Sequence, residues 1–354
     1  MSMENLWENN VRKVIPYTPG EQPKDSDIIK LNTNENPYAP SPKVKAILDN
    51  YDISKMRLYP DPDATVLVEA IAERYNVKPS QVFVGVGSDD VLSIAFLTFF
   101  NSENPVLFPD ITYSFYDVWA DVYRIPYVQK PLKEDFRIDP EDYKCENGGI
   151  IFPNPNAPTG CEESLAMIEE IVKANPSSVV IIDEAYVDFG AESALKLIDK
   201  YKNLLVIQTY SKSRSMAGMR IGYAIGSEKL IKYMNDVKFS INSYTMTPLT
   251  LLCGAEAIRD EEYFQETLGK IIDVREYSKA RLTELGFTFP DSKSNFIFAS
   301  HSTKPASEIF TALKERKIFV RYWNKPRINN YLRISIGTRE EMEKLFEALE
   351  EILK

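Results

Sequence analysis

Short apolar runs, separated by amphipathic stretches, dominate the middle of the chain. Residues 149–152, 179–182 and 204–207 are apolar throughout. Parallel strands show such continuous runs because helices cover them on both faces. Between the first two runs, the stretch that begins at Leu165 repeats apolar residues at the spacing of one helix face. The pattern predicts an α/β fold with a large, doubly wound, mostly parallel sheet.

The two ends of the chain have different patterns. The first 40 residues are rich in proline and asparagine and lack periodicity, which indicates an extended arm. The last third begins with a long helical stretch over 261–285, and later Thr338 and Glu341 have capping-box spacing before a final helix. Strands and helices alternate between them, which indicates a smaller C-terminal α+β domain. The expected arm, large domain and small domain cover residues 1–40, 41–255 and 256–354.

The composition of the chain argues against several classes of function. Lysine plus arginine number 42 and aspartate plus glutamate 52, so the formal net charge is -10. A nucleic-acid partner is not expected, because such binders need a basic face. One histidine and three separated cysteines argue against a metal site, a Ser-His-Asp triad and a disulfide framework, and favour the cytoplasm. No apolar segment is long enough to cross a bilayer, so no membrane association is expected.

Polar segments follow four of the predicted strands, at residues 87–90, 153–160, 183–186 and 208–212. Ligands bind at the carboxyl ends of strands in open α/β sheets, so we expect these segments to converge. Each segment alone is only a weak indication of a binding site. The glycines at 85 and 87 lack the third glycine of a dinucleotide fingerprint, and no phosphate-binding P-loop accompanies the Asp-Glu pair.

Together the segments fit the chemistry of pyridoxal 5′-phosphate (PLP). That cofactor needs a lysine to hold it and a carboxylate beside its pyridine nitrogen. Lys212 offers the amine and Asp183, at a strand end, offers the carboxylate. The helix that starts after Gly87 favours a phosphate, because its first N–H groups and its dipole face the anion. Hydroxyl and guanidinium donors complete the expected phosphate site at Thr209, Ser211 and Arg220.

Six segments in a fixed order then extend over nearly the whole chain: residues 31–37, 59–61, 156–160, 183–186, 211–220 and 332–338. With these the sequence resembles the class I and II PLP-dependent aminotransferases of fold type I, and within them the histidinol-phosphate aminotransferases. The resemblance implies a fold-type-I PLP transferase that forms a homodimer with shared active sites.

The resemblance also implies roles for individual residues. Lys212 would hold the cofactor and move the proton, Asp183 would pair with the pyridine nitrogen, and Tyr186 would bond the ring oxygen. Ala157 stands where the family often has asparagine, so either Asn156 replaces that donor or Tyr186 acts with less help. The other implied cofactor contacts are Ser88, Asp89, Tyr113, Asn156, Thr209, Ser211 and Arg220, with Tyr59 reaching in from the other subunit.

For the substrate, the resemblance implies that Arg333 binds an anionic end, with further contacts from Tyr17, Asn34 and Arg321. The implied reaction is amino transfer between L-histidinol phosphate and 2-oxoglutarate, giving imidazole-acetol phosphate and L-glutamate in histidine biosynthesis. The partners would be a phosphorylated amine and a 2-oxo acid. Within the family, an aromatic amino-acid aminotransferase and a phosphothreonine decarboxylase stay open as alternatives. Outside it, the alternative is a non-catalytic binding protein with the same fold.

Overall fold

The computed structural model describes residues 6–23 and 27–354. Its strands are β1 (Ile29–Lys30), β2 (Val82–Gly85), β3 (Val106–Pro109), β4 (Tyr127–Lys130), β5 (Gly149–Pro153), β6 (Val180–Asp183), β7 (Leu204–Thr209), β8 (Gly222–Gly226), β9 (Phe287–Thr288), β10 (Phe296–His301), β11 (Ile318–Phe319), β12 (Arg321–Tyr322) and β13 (Leu332–Ser335).

Its α-helices are α1 (Pro42–Asn50), α2 (Thr65–Tyr75), α3 (Ser88–Phe99), α4 (Tyr116–Tyr123), α5 (Leu165–Ala174), α6 (Glu228–Ile241), α7 (Pro248–Arg259), α8 (Glu261–Glu284), α9 (Ala306–Glu315) and α10 (Arg339–Leu353). Short 3₁₀ helices cover Leu6–Asn10, Ile53–Arg57, Pro79–Gln81, Pro140–Tyr143, Val187–Phe189, Ala194–Leu197 and Ala217–Met219. No helix in the described ranges has the length and apolar character needed to span a membrane.

The main sheet has seven strands in the order β2-β8-β7-β6-β5-β3-β4. Only β8 runs against its neighbours within this sheet, so β2, β5, β6 and β7 all point the same way. Their carboxyl ends therefore share one edge. The predicted α/β fold with a mostly parallel sheet is confirmed.

Helices cover both faces of this sheet. Ile150 and Phe152 pack in a core cluster that includes side chains of α2, α5 and α7. Ile151, between them, packs in a second cluster with side chains of α3, α4 and α6. Alternate side chains of a strand point to opposite faces, and here both faces meet a helical layer. This double burial explains why the central strands are apolar throughout.

A second, antiparallel sheet lies in the last third of the chain, in the order β12-β13-β10-β9. It shares a third core cluster with α8, α9 and α10. The last helix starts as predicted: the Thr338 hydroxyl accepts from the Glu341 N–H at 3.2 Å, and the Glu341 carboxylate accepts from the Thr338 N–H at 2.7 Å. Residues 318–322 form two short strands, β11 and β12, which pair with different partners.

The N-terminal segment is partly built into the small sheet region. β1 pairs in parallel with β11, and Leu31 is buried in the third cluster. The expectation of an arm without folded structure is therefore too simple for residues 29–34. The consequence for the site is that Asn32, Thr33 and Asn34 are held in fixed positions beside β13.

Candidate active site

Two cavities meet at the carboxyl edge of the main sheet. The smaller has a volume of about 220 Å³ and the larger about 620 Å³. They share the side chains or backbone of Thr33, Asp89, Tyr113, Ala157, Tyr186 and Lys212. The polar segments that follow the four strands thus converge, as the sequence pattern predicts.

Asp183 ends β6 and lines the smaller cavity. Its Oδ2 accepts a hydrogen bond from the Tyr116 hydroxyl at 2.8 Å, and its Oδ1 accepts from the Ala185 N–H at 3.2 Å. Burial raises the pKa of Asp183 to about 6, although the Tyr116 hydrogen bond acts in the opposite direction. At neutral pH the group is mainly a carboxylate, and from its buried position it can pair with a cation in the cavity.

Lys212 follows β7 and lines both cavities. Its ammonium donates to the Thr33 carbonyl at 3.1 Å and lies 5.8 Å from the centre of the Tyr186 ring. The Tyr186 hydroxyl accepts from the Asn34 side-chain amide at 2.9 Å. The Lys212 amine, the Tyr186 phenol and the Asn34 amide thus lie side by side in the site. The Thr33 carbonyl holds the amine.

The start of α3 forms a cradle suited to an anion. Gly87 has φ +86°, and a Cβ there would lie 2.4 Å from an Arg220 guanidinium nitrogen. Glycine therefore allows the guanidinium to approach the first turn of the helix, whose N–H groups have no partners within the helix. Ser88, Thr209 and Ser211 also line this cavity, with the last two hydroxyl oxygens 3.0 Å apart.

The Asp89 carboxylate is already engaged in this cradle. It accepts from the Tyr113 hydroxyl at 2.8 Å and lies 3.5 Å from the Arg220 guanidinium. Its negative charge is therefore partly balanced, and the group it can offer an anion is its main-chain N–H at the helix start. Tyr113, tied by its hydroxyl, presents its ring at the junction of the two cavities.

Arg321 and Arg333 bring two positive charges to the larger cavity. Each guanidinium carbon lies 5.2 Å from the centre of the Trp323 ring. Burial lowers the pKa of Arg333, and so does the charge of Arg321, but a guanidinium remains protonated at any physiological pH. In the described part of the chain neither guanidinium is paired with a carboxylate, and the Arg333 Nε is buried without a hydrogen-bond partner. Half-buried cations without a paired carboxylate suit an anionic ligand.

Tyr17 lies on the same side of the larger cavity. Its ring stacks on Phe115 at 4.1 Å, and burial raises the pKa of its hydroxyl, while Arg321 and Arg333 act to lower it. The three predicted anion contacts therefore come together, although they derive from the arm and from two strands of the small sheet.

The side chains of three further predicted residues are engaged by other parts of the protein. Asn34 lines the larger cavity, but its side-chain oxygen accepts from Ser335 and its amide donates to Tyr186. Asn156 lines neither cavity: its amide donates to the Ile111 carbonyl and the Thr159 hydroxyl. Tyr59 is 82% exposed, and its ring contacts the Tyr244 ring at a tilt, away from both cavities.

Sequence reasoning missed Trp323 and Tyr116. Trp323 stands two residues after Arg321, and side chains at i and i+2 of a strand share a face, so this spacing was an available indication. Tyr116 falls on the apolar face of α4, where an aromatic residue usually serves packing. Its bond to Asp183 joins residues 67 positions apart and leaves no local pattern.

The sequence model described as aminotransferase class I and II matches residues 26–349. The chain belongs to this aminotransferase family. It is 51% identical over 351 residues to a histidinol-phosphate aminotransferase of Clostridium botulinum, a match that covers 99% of each chain. It is also 51% identical to the Lactococcus lactis subsp. lactis protein of that description, over 98% of this chain and 97% of the relative.

Solved structures show the same aminotransferase fold. The histidinol-phosphate aminotransferase of Sinorhizobium meliloti, in complex with PLP, matches with a TM-score of 0.84 at 23% identity, over 92% of this chain and 90% of that one. The Clostridium acetobutylicum enzyme matches with a TM-score of 0.84 at 22% identity, over 92% and 99%.

The cofactor of this aminotransferase family is PLP, and the smaller cavity fits it. A ring with a protonated nitrogen needs a buried carboxylate, which Asp183 supplies, and a carbonyl group needs an amine, which Lys212 supplies. The phosphate needs a cradle, and Gly87 leaves room for one beside Arg220. All three requirements are met in one cavity.

Proposed function

We propose that this aminotransferase moves an amino group between L-histidinol phosphate and 2-oxoglutarate, giving imidazole-acetol phosphate and L-glutamate. The observation that carries the proposal is the pair of unneutralised guanidinium groups, Arg321 and Arg333, in the cavity that also contains Lys212. A protein of net charge -10 has few reasons to keep two such cations in a cleft unless its substrate is anionic. The names of the relatives at 51% identity agree with this substrate.

In the proposed mechanism, bound PLP supplies an electron-accepting ring that stabilises negative charge developing on the substrate carbon. Asp183 balances the positive charge of the ring nitrogen from a buried position. The Lys212 amine would hold the cofactor and, when free, would take the proton from the substrate carbon as a general base. Tyr186 donates toward the ring oxygen, while Asn34 fixes its hydroxyl.

The chain holds the other parts of the ligands by charge. Ser88, Thr209, Ser211 and Arg220 are proposed to bind the cofactor phosphate together with the first N–H groups of α3. Arg333, Arg321 and Tyr17 are proposed to bind the anionic end of either substrate. One site thus serves both amino donor and acceptor in turn, which predicts ping-pong kinetics.

We propose further that the enzyme works in the cytoplasm as a homodimer, with residues 41–255 as the large domain and 256–354 as the small domain. Exposed apolar side chains near Tyr59 support self-association, because soluble monomers rarely expose such patches. They are Ile53, Met56, Leu58, Ile241 and Tyr244. In that dimer the partner copy would bring its own Tyr59 to the cofactor phosphate of this chain.

Substrate comparison tests the proposed function. With 2-oxoglutarate as acceptor, we expect kcat/KM for L-histidinol phosphate to exceed that for L-phenylalanine by at least about 100-fold, because a doubly charged phosphate pairs more strongly with the two arginines than the single carboxylate of phenylalanine does. Steady-state rates measure this ratio directly. Equal or better rates with phenylalanine would overturn the proposal in favour of an aromatic amino-acid aminotransferase.

Arg321→Met tests the role of the cavity arginine, and Arg316→Met is its matched control. Arg321 lines the larger cavity, whereas Arg316 is an exposed residue just after α9 that pairs with Glu351. Arg321→Met should reduce the preference for histidinol phosphate about 10-fold or more, the effect of a lost hydrogen bond to a charged group. Arg316→Met should keep the wild-type preference.

A further inference from the structure

Tyr116 is a buried tyrosine directly behind the proposed ring site. It is the first residue of α4, is completely buried, and lines neither cavity. Its ring is fixed by edge contacts with Phe108 and Tyr113, each with centres 5.8 Å apart. The ring therefore cannot turn freely, and its hydroxyl is aimed at one atom, the Oδ2 of Asp183, at 2.8 Å.

Few other groups interact with the Asp183 carboxylate, so the Tyr116 hydroxyl has a large influence on it. The remaining donor to the carboxylate in the described structure is the Ala185 N–H, at the longer distance of 3.2 Å. The charged groups that line the same cavity include Asp89 at the start of α3, which repels the carboxylate, and Lys212. Glu184, the next residue, turns its carboxylate away from the cavity, to Ser193, Ala194 and Gln208.

We propose that Tyr116 is a positioning residue for the amino-transfer reaction, whose hydroxyl fixes the orientation and the ionised state of the Asp183 carboxylate that meets the cofactor ring. The inference rests on the proposed role of Asp183. A hydrogen bond that donates to a carboxylate stabilises its charged form, and burial makes that bond stronger than it would be in water. Without it, burial would favour the protonated acid, which cannot balance a ring cation.

The first test uses the cofactor-free protein, so it does not depend on activity. In Tyr116→Phe, the carbon-13 NMR titration of the Asp183 carboxyl should move to higher pH by about one unit, the size of a charged hydrogen bond. Asp183→Asn identifies the resonance. An unchanged midpoint in Tyr116→Phe would overturn the inference.

The matched control is Tyr143→Phe. Tyr143 is also buried, yet its hydroxyl has no hydrogen-bond partner in the described structure, so its loss removes no bond. Its Asp183 titration should coincide with that of the wild type. An equal shift in both variants would mean that any buried tyrosine acts alike, which would also contradict the inference.

The second test is a double-mutant cycle on the equilibrium dissociation constant of PLP. Measured at pH 5, below both midpoints, Tyr116→Phe should weaken binding about tenfold in the wild-type background, matching one pH unit of lost ionisation, and should have no effect in Asp183→Asn. An equal loss in both backgrounds would mean that Tyr116 acts through packing, and would overturn the inference alone. If Asp183→Asn itself binds PLP as tightly as the wild type, the proposed role of Asp183 fails, and the inference fails with it.

Discussion

Lys212→Ala is expected to abolish amino transfer while the protein stays folded. Among the described residues, Lys212 is the only lysine that lines the smaller cavity. The variant loses both the amine that holds the cofactor and the base that takes the substrate proton. Loss of a general base alone lowers rates by about 10²–10⁴-fold. Because this variant also loses the amine that holds the cofactor, its steady-state turnover should fall by more than that factor. Far-ultraviolet circular dichroism should be unchanged, because within residues 6–23 and 27–354 the side chain donates a single hydrogen bond, to Thr33.

Lys325→Ala serves as the control, since Lys325 lines the larger cavity but not the smaller one. That variant should still hold the cofactor covalently, as seen by mass spectrometry after borohydride reduction. Lys212→Ala should yield no such adduct. Turnover by Lys212→Ala within tenfold of the wild-type rate would mean that another amine performs the reaction.

Asp183→Asn is expected to lower turnover by about 10²–10³-fold, as when one preorganised electrostatic group is removed from an active site. The amide has nearly the shape of the carboxylate, so the change removes charge and little packing. A neutral group cannot balance the ring cation in a cavity where Asp183 is only 4% exposed. Single-turnover rates at saturating cofactor would separate this effect from weaker cofactor binding.

Glu184→Gln is the matched control for Asp183→Asn. Both are adjacent buried carboxyl groups, and burial also raises the pKa of Glu184, to about 7. The Glu184 side chain points to Ser193 and Gln208 instead of the cavity, so its loss should alter thermal stability more than turnover. Equal loss of turnover in both variants would mean that Asp183 acts through the fold and not through the ring nitrogen.

The sequence predicted the centre of the fold better than its edges. β5, β6 and β7 are buried on both faces, so they read as unbroken apolar runs. β4, at the edge, is largely exposed and has no apolar pattern, and β8 is bounded by glycines. β1 has two residues, and its pairing with β11 joins positions nearly 290 apart. A pattern of neighbouring residues cannot predict a contact between positions so far apart in the sequence.

The same division explains the outcome for the site. Asp183 and Lys212 could be predicted from the sequence because they follow apolar strands, and strand direction alone brings them to one edge. The side-chain bonds that decide the orientation of Asn34 and Asn156 depend on packing, so the sequence could not give them. Tyr59 needs a second copy of the chain before it can act, which leaves its role a prediction.

A crystal structure of the PLP-loaded protein tests the central claim most directly. We expect the ring in the smaller cavity, with its nitrogen within hydrogen-bond distance of the Asp183 carboxylate, its carbonyl carbon joined to the Lys212 amine, and its phosphate at the start of α3. Electron density for the ring elsewhere, or attachment to a different lysine, would contradict the account.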